Sequence, residues 1–137
     1  MCKTYQQLKQ NAQLNHIEVT EDNEHRWEFS YSSTGKHNRI VLGTENINQE
    51  SQLKDVLAHE YGHILNNKAV KGEMKKPAIL REIGAWKTAI EQLDLNPELD
   101  KQELRDVLKL SGNCIFTYLS WDDLLQLRDY KLEGKKW

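Results

Sequence analysis

Leu57-Ala58-His59-Glu60-Tyr61-Gly62-His63-Ile64-Leu65 is the stretch on which the reading of this chain turns. Leu53, Val56 and Leu57 precede the polar core of the stretch, and Ile64 and Leu65 follow it. That spacing, i, i+3, i+4, is the buried stripe of a helix. On a helix, residues four apart lie one above the other, so His59 and His63 present their imidazoles to one point. A single Zn2+ needs that geometry from two nitrogen ligands, and Glu60 falls beside them, where it can hold and deprotonate a metal-bound water. His-Glu-x-x-His arises by chance in roughly one or two sequences per hundred. Two histidines and a glutamate on or beside a buried stripe, however, are costly to desolvate without a partner, and a metal is the partner that accounts for all three.

Outward from this stretch, 137 residues fit a single domain, 1–137, large enough to bury a core without staples. A net charge of −2 offers no footprint for nucleic acid or an anionic membrane, and the basic runs Lys75-Lys76 and Lys135-Lys136 are short. The expectation is no nucleic-acid and no membrane partner. Cys2 and Cys114 form no ligand pair of their own; Cys2 sits at a terminus expected to fray, and Cys114 in an apolar run reads as a small buried hydrophobe. Met1–Gln10 lacks the apolar core of a signal peptide and no stretch approaches a membrane span, which points to a cytoplasmic protein with reduced thiols.

Upstream, Tyr5 to Leu14 reads as a short helix with Tyr5, Leu8 and Ala12 on one side, covering an edge of the fold. Ile17 and Val19 alternate with polar residues as a half-buried strand does. Trp27, Phe29 and Tyr31 alternate too, and with the turn Ser32–Lys36 and the run Arg39-Ile40-Val41-Leu42-Gly43 they predict a β-hairpin. His16, His25 and His37 have no spaced partner and read as surface residues. Asn46 or Asn48 is the expected N-cap of the central helix, which should end at Asn66 or Asn67 in a left-handed conformation. Gly62 inside it costs about 1 kcal/mol relative to Ala, which calls either for close approach of a backbone or substrate to the metal or for tight packing.

Downstream, Pro77 opens a second helix with Ile79, Leu80, Ile83, Trp86, Ile90 and Leu93 at helical spacing. Glu82 lies beside that stripe and is the candidate third ligand. A catalytic zinc site of the His2Glu kind takes two histidines and one carboxylate and leaves a fourth position for water. Gly84 and Ala85 are small enough for the second helix to come close. Glu82 as a surface partner of Arg81 or Lys87 is the plainer reading, and Glu73 and Glu91 are the other candidate carboxylates. Asn96-Pro97 opens a third helix with Leu99, Leu104, Val107 and Leu108 inward and Gly112 after its end; Ile115, Phe116, Tyr118 and Leu119 read as core. Ser120 with Asp123 resembles a capping box before Leu124, Leu125 and Leu127. Tyr118 and Tyr130 carry hydroxyls that could serve an oxyanion, but each reads first as a core or rim tyrosine. The tail Gly134-Lys135-Lys136-Trp137 is expected to be mobile.

His59-Glu60-Tyr61-Gly62-His63, followed by Glu82-Ile83-Gly84-Ala85 and Ala89, resembles the gluzincin type of zinc metallopeptidase, in which a Glu-x-x-Ala pattern on the following helix supplies the third ligand. Small size, the strand Ile40-Val41-Leu42 ahead of the motif helix and both alanines resemble most the ImmA/IrrE family of bacterial and phage metallopeptidases. Where that family has Asn or Asp after the first Ala and Phe before the second, this chain has Trp86 and Thr88. The resemblance covers roughly Arg39 to Leu93. It implies a zincin-like α+β domain with a short antiparallel or mixed sheet packed on the motif helix, Zn2+ held by His59, His63 and Glu82, Glu60 as general base, and a protein or peptide substrate that is a specific regulatory protein, such as a repressor. Two other readings stay open: a zincin-fold binding or regulatory module that cleaves nothing, and a structural zinc site closed by a fourth side chain such as His37 or Cys114. Oligomeric state leaves no trace in the sequence.

Overall fold

The structure is a computed structural model and describes residues 2–132. The chain is α+β: helix α1 (Tyr5–Leu14), strand β1 (Ile17–Asp22), strand β2 (Tyr31–Ser33), strand β3 (Asn38–Gly43), and then helices α2 (Glu50–Ala69), α3 (Ala78–Leu93), α4 (Lys101–Phe116) and α5 (Trp121–Leu132). The sheet is mixed, in the order β1-β3-β2. β1 runs parallel to β3 from Ile17↔Asn38 to Asp22↔Gly43, and β2 runs antiparallel to it, with Ser32 opposite Ile40.

α2 is the centre of the molecule. Lys54 to Gly62 is buried without interruption, so this helix is covered on several sides rather than lying on a surface. Ile17, Ile40 and Leu42 from the sheet, Tyr5, Leu8 and Ala12 from α1, Trp86, Ala89 and Leu93 from α3 and Val107 from α4 join its Val56, Leu57, Ala58, Tyr61 and Ile64 in one core. α1 therefore belongs to that core and is more than an edge cover. A Thr4–Gln7 capping box starts it, and Asn15 at its end donates to the Tyr61 hydroxyl at 2.8 Å.

The structure corrects several local expectations. Trp27–Phe29 is a turn of 3-10 helix rather than strand, and the hairpin is reduced to Tyr31–Ser33 against β3. The reason is tertiary: Trp27 N donates to Asn46 Oδ1, Gly43 N donates to Ser30 Oγ, and the Arg26 carbonyl lies where a Cβ on Gly43 would be. Segment 25–30 thus folds over the end of β3 instead of lengthening the ladder. Asn46, engaged with Trp27, does not cap α2; Gln49 holds the N-cap position without a side-chain bond. α2 runs on past Asn66 and Asn67 to Ala69, and Asn66 Oδ1 instead accepts from Thr88 Oγ1 on α3 at 2.8 Å.

α3 starts just after Pro77 as expected, but its buried face is rotated. Ile79, Glu82, Ala85, Trp86, Ala89 and Leu93 point inward, whereas Ile83 is 44% exposed. α4 runs through Gly112 to Phe116 with Val107 and Ser111 buried, while Leu99 and Leu108 are exposed. Of the 115–119 run, Ile115 packs against the core as expected and Tyr118 is half-buried, whereas Phe116, 72% exposed, and Leu119 face outward. Ser120 does cap α5: Asp123 N donates to Ser120 Oγ at 3.2 Å. Cys2 is not frayed, since Sγ lies 2.7 Å from Glu103 Oε2 and Lys54 Nζ donates to it at 3.2 Å; both cysteines are free thiols. The tail 134–137, with its Lys135-Lys136 run, lies outside the described residues. Among the described residues, no helix is long and apolar enough to cross a membrane.

Candidate metal centre

The site lies where α2 and α3 cross at very short range. A Cβ on Gly62 would fall well inside van der Waals contact with the carbonyl oxygen of Ala85, so the missing side chain serves tight helix–helix packing. Gly62 sits between His59 and His63 on α2, and Glu82 is one turn before Ala85 on α3. The crossing therefore carries Glu82 directly onto the two histidines. His59 Nε2 is 2.6 Å from Glu82 Oε2 and His63 Nε2 is 3.0 Å from Glu82 Oε1. The imidazole centroids are 4.7 Å apart.

Two further residues converge from the end of α4. The Tyr118 hydroxyl donates to Glu82 Oε1 at 3.2 Å, and Cys114 Sγ lies 3.7 Å from Glu82 Oε2. Each carboxylate oxygen thus has two donors around it, the full acceptor capacity of the group. Burial raises the Glu82 pKa, but the hydrogen bonds and charges of His59 and His63 more than reverse this and hold it far below the usual range. For His63, burial lowers the pKa and the Glu82 carboxylate overcomes it, a net rise. Trp86 stacks on the His59 ring with centroids 4.2 Å apart and planes 8° from parallel, which fixes the ring's orientation.

Glu60 is buried beside the pair. Its Oε1 is 3.7 Å from His59 Nδ1, too long for a hydrogen bond, while the Ser32 hydroxyl on β2 favours its ionised form. Burial dominates and raises its pKa, although the neighbouring histidines pull the other way.

The donor set suits zinc: two imidazole nitrogens, a carboxylate and, at one side, a thiol. His59, Glu82 and Cys114 offer ligand atoms all within 4.8 Å of one another. A tetrahedral ion with bonds of about 2.0–2.1 Å holds nitrogen and oxygen ligands about 3.3 Å apart. The two imidazole–carboxylate contacts, at 2.6 and 3.0 Å to different oxygens, are shorter than that by about 0.7 and 0.3 Å, so an ion would have to part the side chains by that much.

The structure brings His59, Glu60, His63 and Glu82 together. Glu82 does not pair with Arg81 or Lys87. Glu73, though buried, pairs with Lys76 at 3.0 Å, and Glu91 is exposed. His16, His25 and His37 are exposed, with His25 bound to Asp22. Cys114, a small apolar residue by its sequence setting, lies against Glu82, and Trp86, apolar by its spacing, stacks on His59. One signal was available: Val107, Ser111, Cys114 and Tyr118 are spaced 4, 3 and 4, a single helical face. No family model matches the chain, and no curated protein or solved structure matches it.

Proposed function

We propose that this chain is a zinc-dependent metallopeptidase of zincin-like fold, resembling the ImmA/IrrE family, that hydrolyses a peptide bond in a specific regulatory protein. The observation that carries this reading is the convergence of His59 and His63 from one helix and Glu82 from the next on one point, with a second buried carboxylate, Glu60, alongside. Zinc bound there would polarise the scissile carbonyl and lower the pKa of the attacking water toward about 7.

The chain's own residues supply the rest. Glu60 accepts the proton of the water at its carboxylate and returns it to the leaving amine, and its buried setting, remote from solvent, suits a general base. Trp86 holds the His59 ring in place, and the Gly62–Ala85 contact fixes the separation of the two ligand-bearing helices. The Tyr118 hydroxyl, at the edge of Glu82, is the available donor for a developing oxyanion. A short mixed sheet packed on the motif helix is the scaffold this assignment expects.

The test has two stages. Elemental mass spectrometry should find one zinc per chain in the wild type and a strong loss in His63→Ala and Glu82→Ala. Wild type that holds no zinc and takes up none when it is added would end the proposal. Cleavage of a peptide library should then disappear in Glu60→Gln with zinc retained. Zinc retained without any cleavage in the wild type would leave a zinc-holding module in place of an enzyme.

A further inference from the structure

We propose that Cys114 is a fourth protein ligand of this centre, so that the resting site is closed by its thiolate and a substrate or water reaches the ion only by displacing it. This rests on the zinc reading above and adds a regulatory element to it. Two observations on different atoms carry the inference.

The first is distance. Cys114 Sγ stands 3.7 Å from Glu82 Oε2. With zinc–sulfur and zinc–oxygen bonds of about 2.3 and 2.0–2.1 Å, two ligands of one tetrahedral ion lie about 3.6 Å apart. The sulfur is thus already at ligand spacing from the carboxylate, and His59 Nε2 shares the same oxygen at 2.6 Å.

The second is an orphaned donor. The indole Nε1–H of Trp86 is buried and makes no hydrogen bond of ordinary geometry. The group it faces is the Cys114 sulfur. A neutral thiol is a weak acceptor, whereas a thiolate is a strong one, so this N–H finds a proper partner when the sulfur is ionised. The same tryptophan stacks on His59, so one side chain supports two ligands.

The charge balance agrees with them. A bound divalent ion takes Cys114 as the thiolate, the proton leaving to solvent as the sulfur–metal bond forms. His59, His63, Glu82 and Cys114 would then give a neutral set, two imidazoles and two anions around a dication. Thiolate also biases the site toward zinc and away from magnesium or calcium.

Cobalt(II) loading of the full chain tests this. Wild type should show a sulfur-to-cobalt charge-transfer band in the near ultraviolet together with tetrahedral d–d bands. Cys114→Ser should lose the first and keep the second. Tetrahedral d–d bands without a charge-transfer band in the wild type would overturn the role of Cys114 while leaving the His2Glu site standing. Failure to take up cobalt or zinc at all would defeat the metal reading itself. Should Cys114→Ser not fold, thiol labelling of the wild type decides: zinc should slow alkylation of Cys114 by at least about tenfold while leaving Cys2 unchanged. Equal labelling of Cys114 with and without zinc would overturn the proposal.

Discussion

The Gly62–Ala85 contact yields the sharpest prediction, because intrinsic helix propensity and packing point in opposite directions there. In an exposed helix, Gly→Ala gains about 1 kcal/mol. At Gly62 the new methyl would overlap the Ala85 carbonyl oxygen, and its distance to the carbonyl carbon would be 3.2 Å. Restoring contact distance requires α2 and α3 to part by about 1 Å. Overpacking of that kind costs about 1–3 kcal/mol, so Gly62→Ala should be neutral to about 2 kcal/mol less stable. The larger effect falls on the site. His59 and His63 flank Gly62, and Glu82 is one turn from Ala85, so the same parting stretches the ligand set by a comparable amount. Ligand distances must hold within about 0.2 Å, so zinc affinity should fall about ten- to a hundredfold. Gly112→Ala is the control, because a Cβ at that helical position meets nothing within 4 Å. It should gain up to about 1 kcal/mol and leave zinc binding untouched. Urea denaturation and competition with a chelating dye measure both quantities. If Gly62→Ala gains as much stability as Gly112→Ala, with unchanged zinc affinity, then the close crossing does not position the ligands.

Three other consequences are open to measurement. Asp55 is 5% exposed at the wall of a cavity of about 230 Å³ shared with Asp106 and Lys109, and burial raises its pKa from 3.8 to about 7, with Lys54 opposing and Asp106 and Glu103 adding to the rise. The folded state then holds a proton the unfolded chain has lost, so stability falls as pH rises from about 4 to 7 and is level above; Asp55→Asn should cancel up to about 4 kcal/mol of that loss, read from denaturation at pH 4.5 and pH 8. Equal pH dependence in the variant would show that Asp55 is not the source. Leu57→Ala should cost about 2–5 kcal/mol because the residue is fully buried, whereas Phe116→Ala, at a position 72% exposed, should stay within about 0.5 kcal/mol; similar costs in the two would contradict the placement of the core. Ser120→Ala should cost about 1 kcal/mol through the lost bond to Asp123 N, visible as faster amide exchange in α5 and not elsewhere.

Regular periodicity made part of this fold legible. α1 repeats an apolar residue each turn and is found where that pattern puts it, with Tyr5, Leu8 and Ala12 buried. α3 likewise starts after its proline. What the sequence concealed was decided by contacts distant along the chain. Asn66 looks like a helix end until Thr88 on another helix occupies its side chain, and Trp27 looks like strand until Asn46 captures its N–H. The inner face of α4 is legible in part: Val107 is buried and Leu104 packs on the core, while Leu99 and Leu108, apolar by type, are exposed. The same helix turns Ser111 and Cys114 toward the centre, and polar residues on the inner face of a helix that closes a polar site escape a rule built on apolar spacing.

The same consideration bears on why four ionisable groups sit inside this helix crossing. A helix pair that needed only stability would do better with apolar residues of similar volume, since a buried ion pair seldom repays its desolvation. Glu82 is fully provided for by His59, His63, Tyr118 and Cys114. Glu60 is less so: it is as deeply buried, it has the Ser32 hydroxyl but its ion-pair contact to His59 is 3.7 Å long, and burial raises its pKa on balance. A purely structural account of the cluster explains the Glu82 bonds and leaves Glu60 one hydroxyl against the cost of its burial. A divalent cation at the imidazoles would supply the positive charge that a second carboxylate needs and would give it a water to act on. Glu60→Leu separates the two accounts. If the cluster is structural, removing this carboxylate should stabilise the protein by about 1–3 kcal/mol and alter nothing else. If it is an active centre, the same gain in stability should come with complete loss of hydrolysis at undiminished zinc content. Hydrolysis that survives Glu60→Leu would remove the reason for placing the general base there.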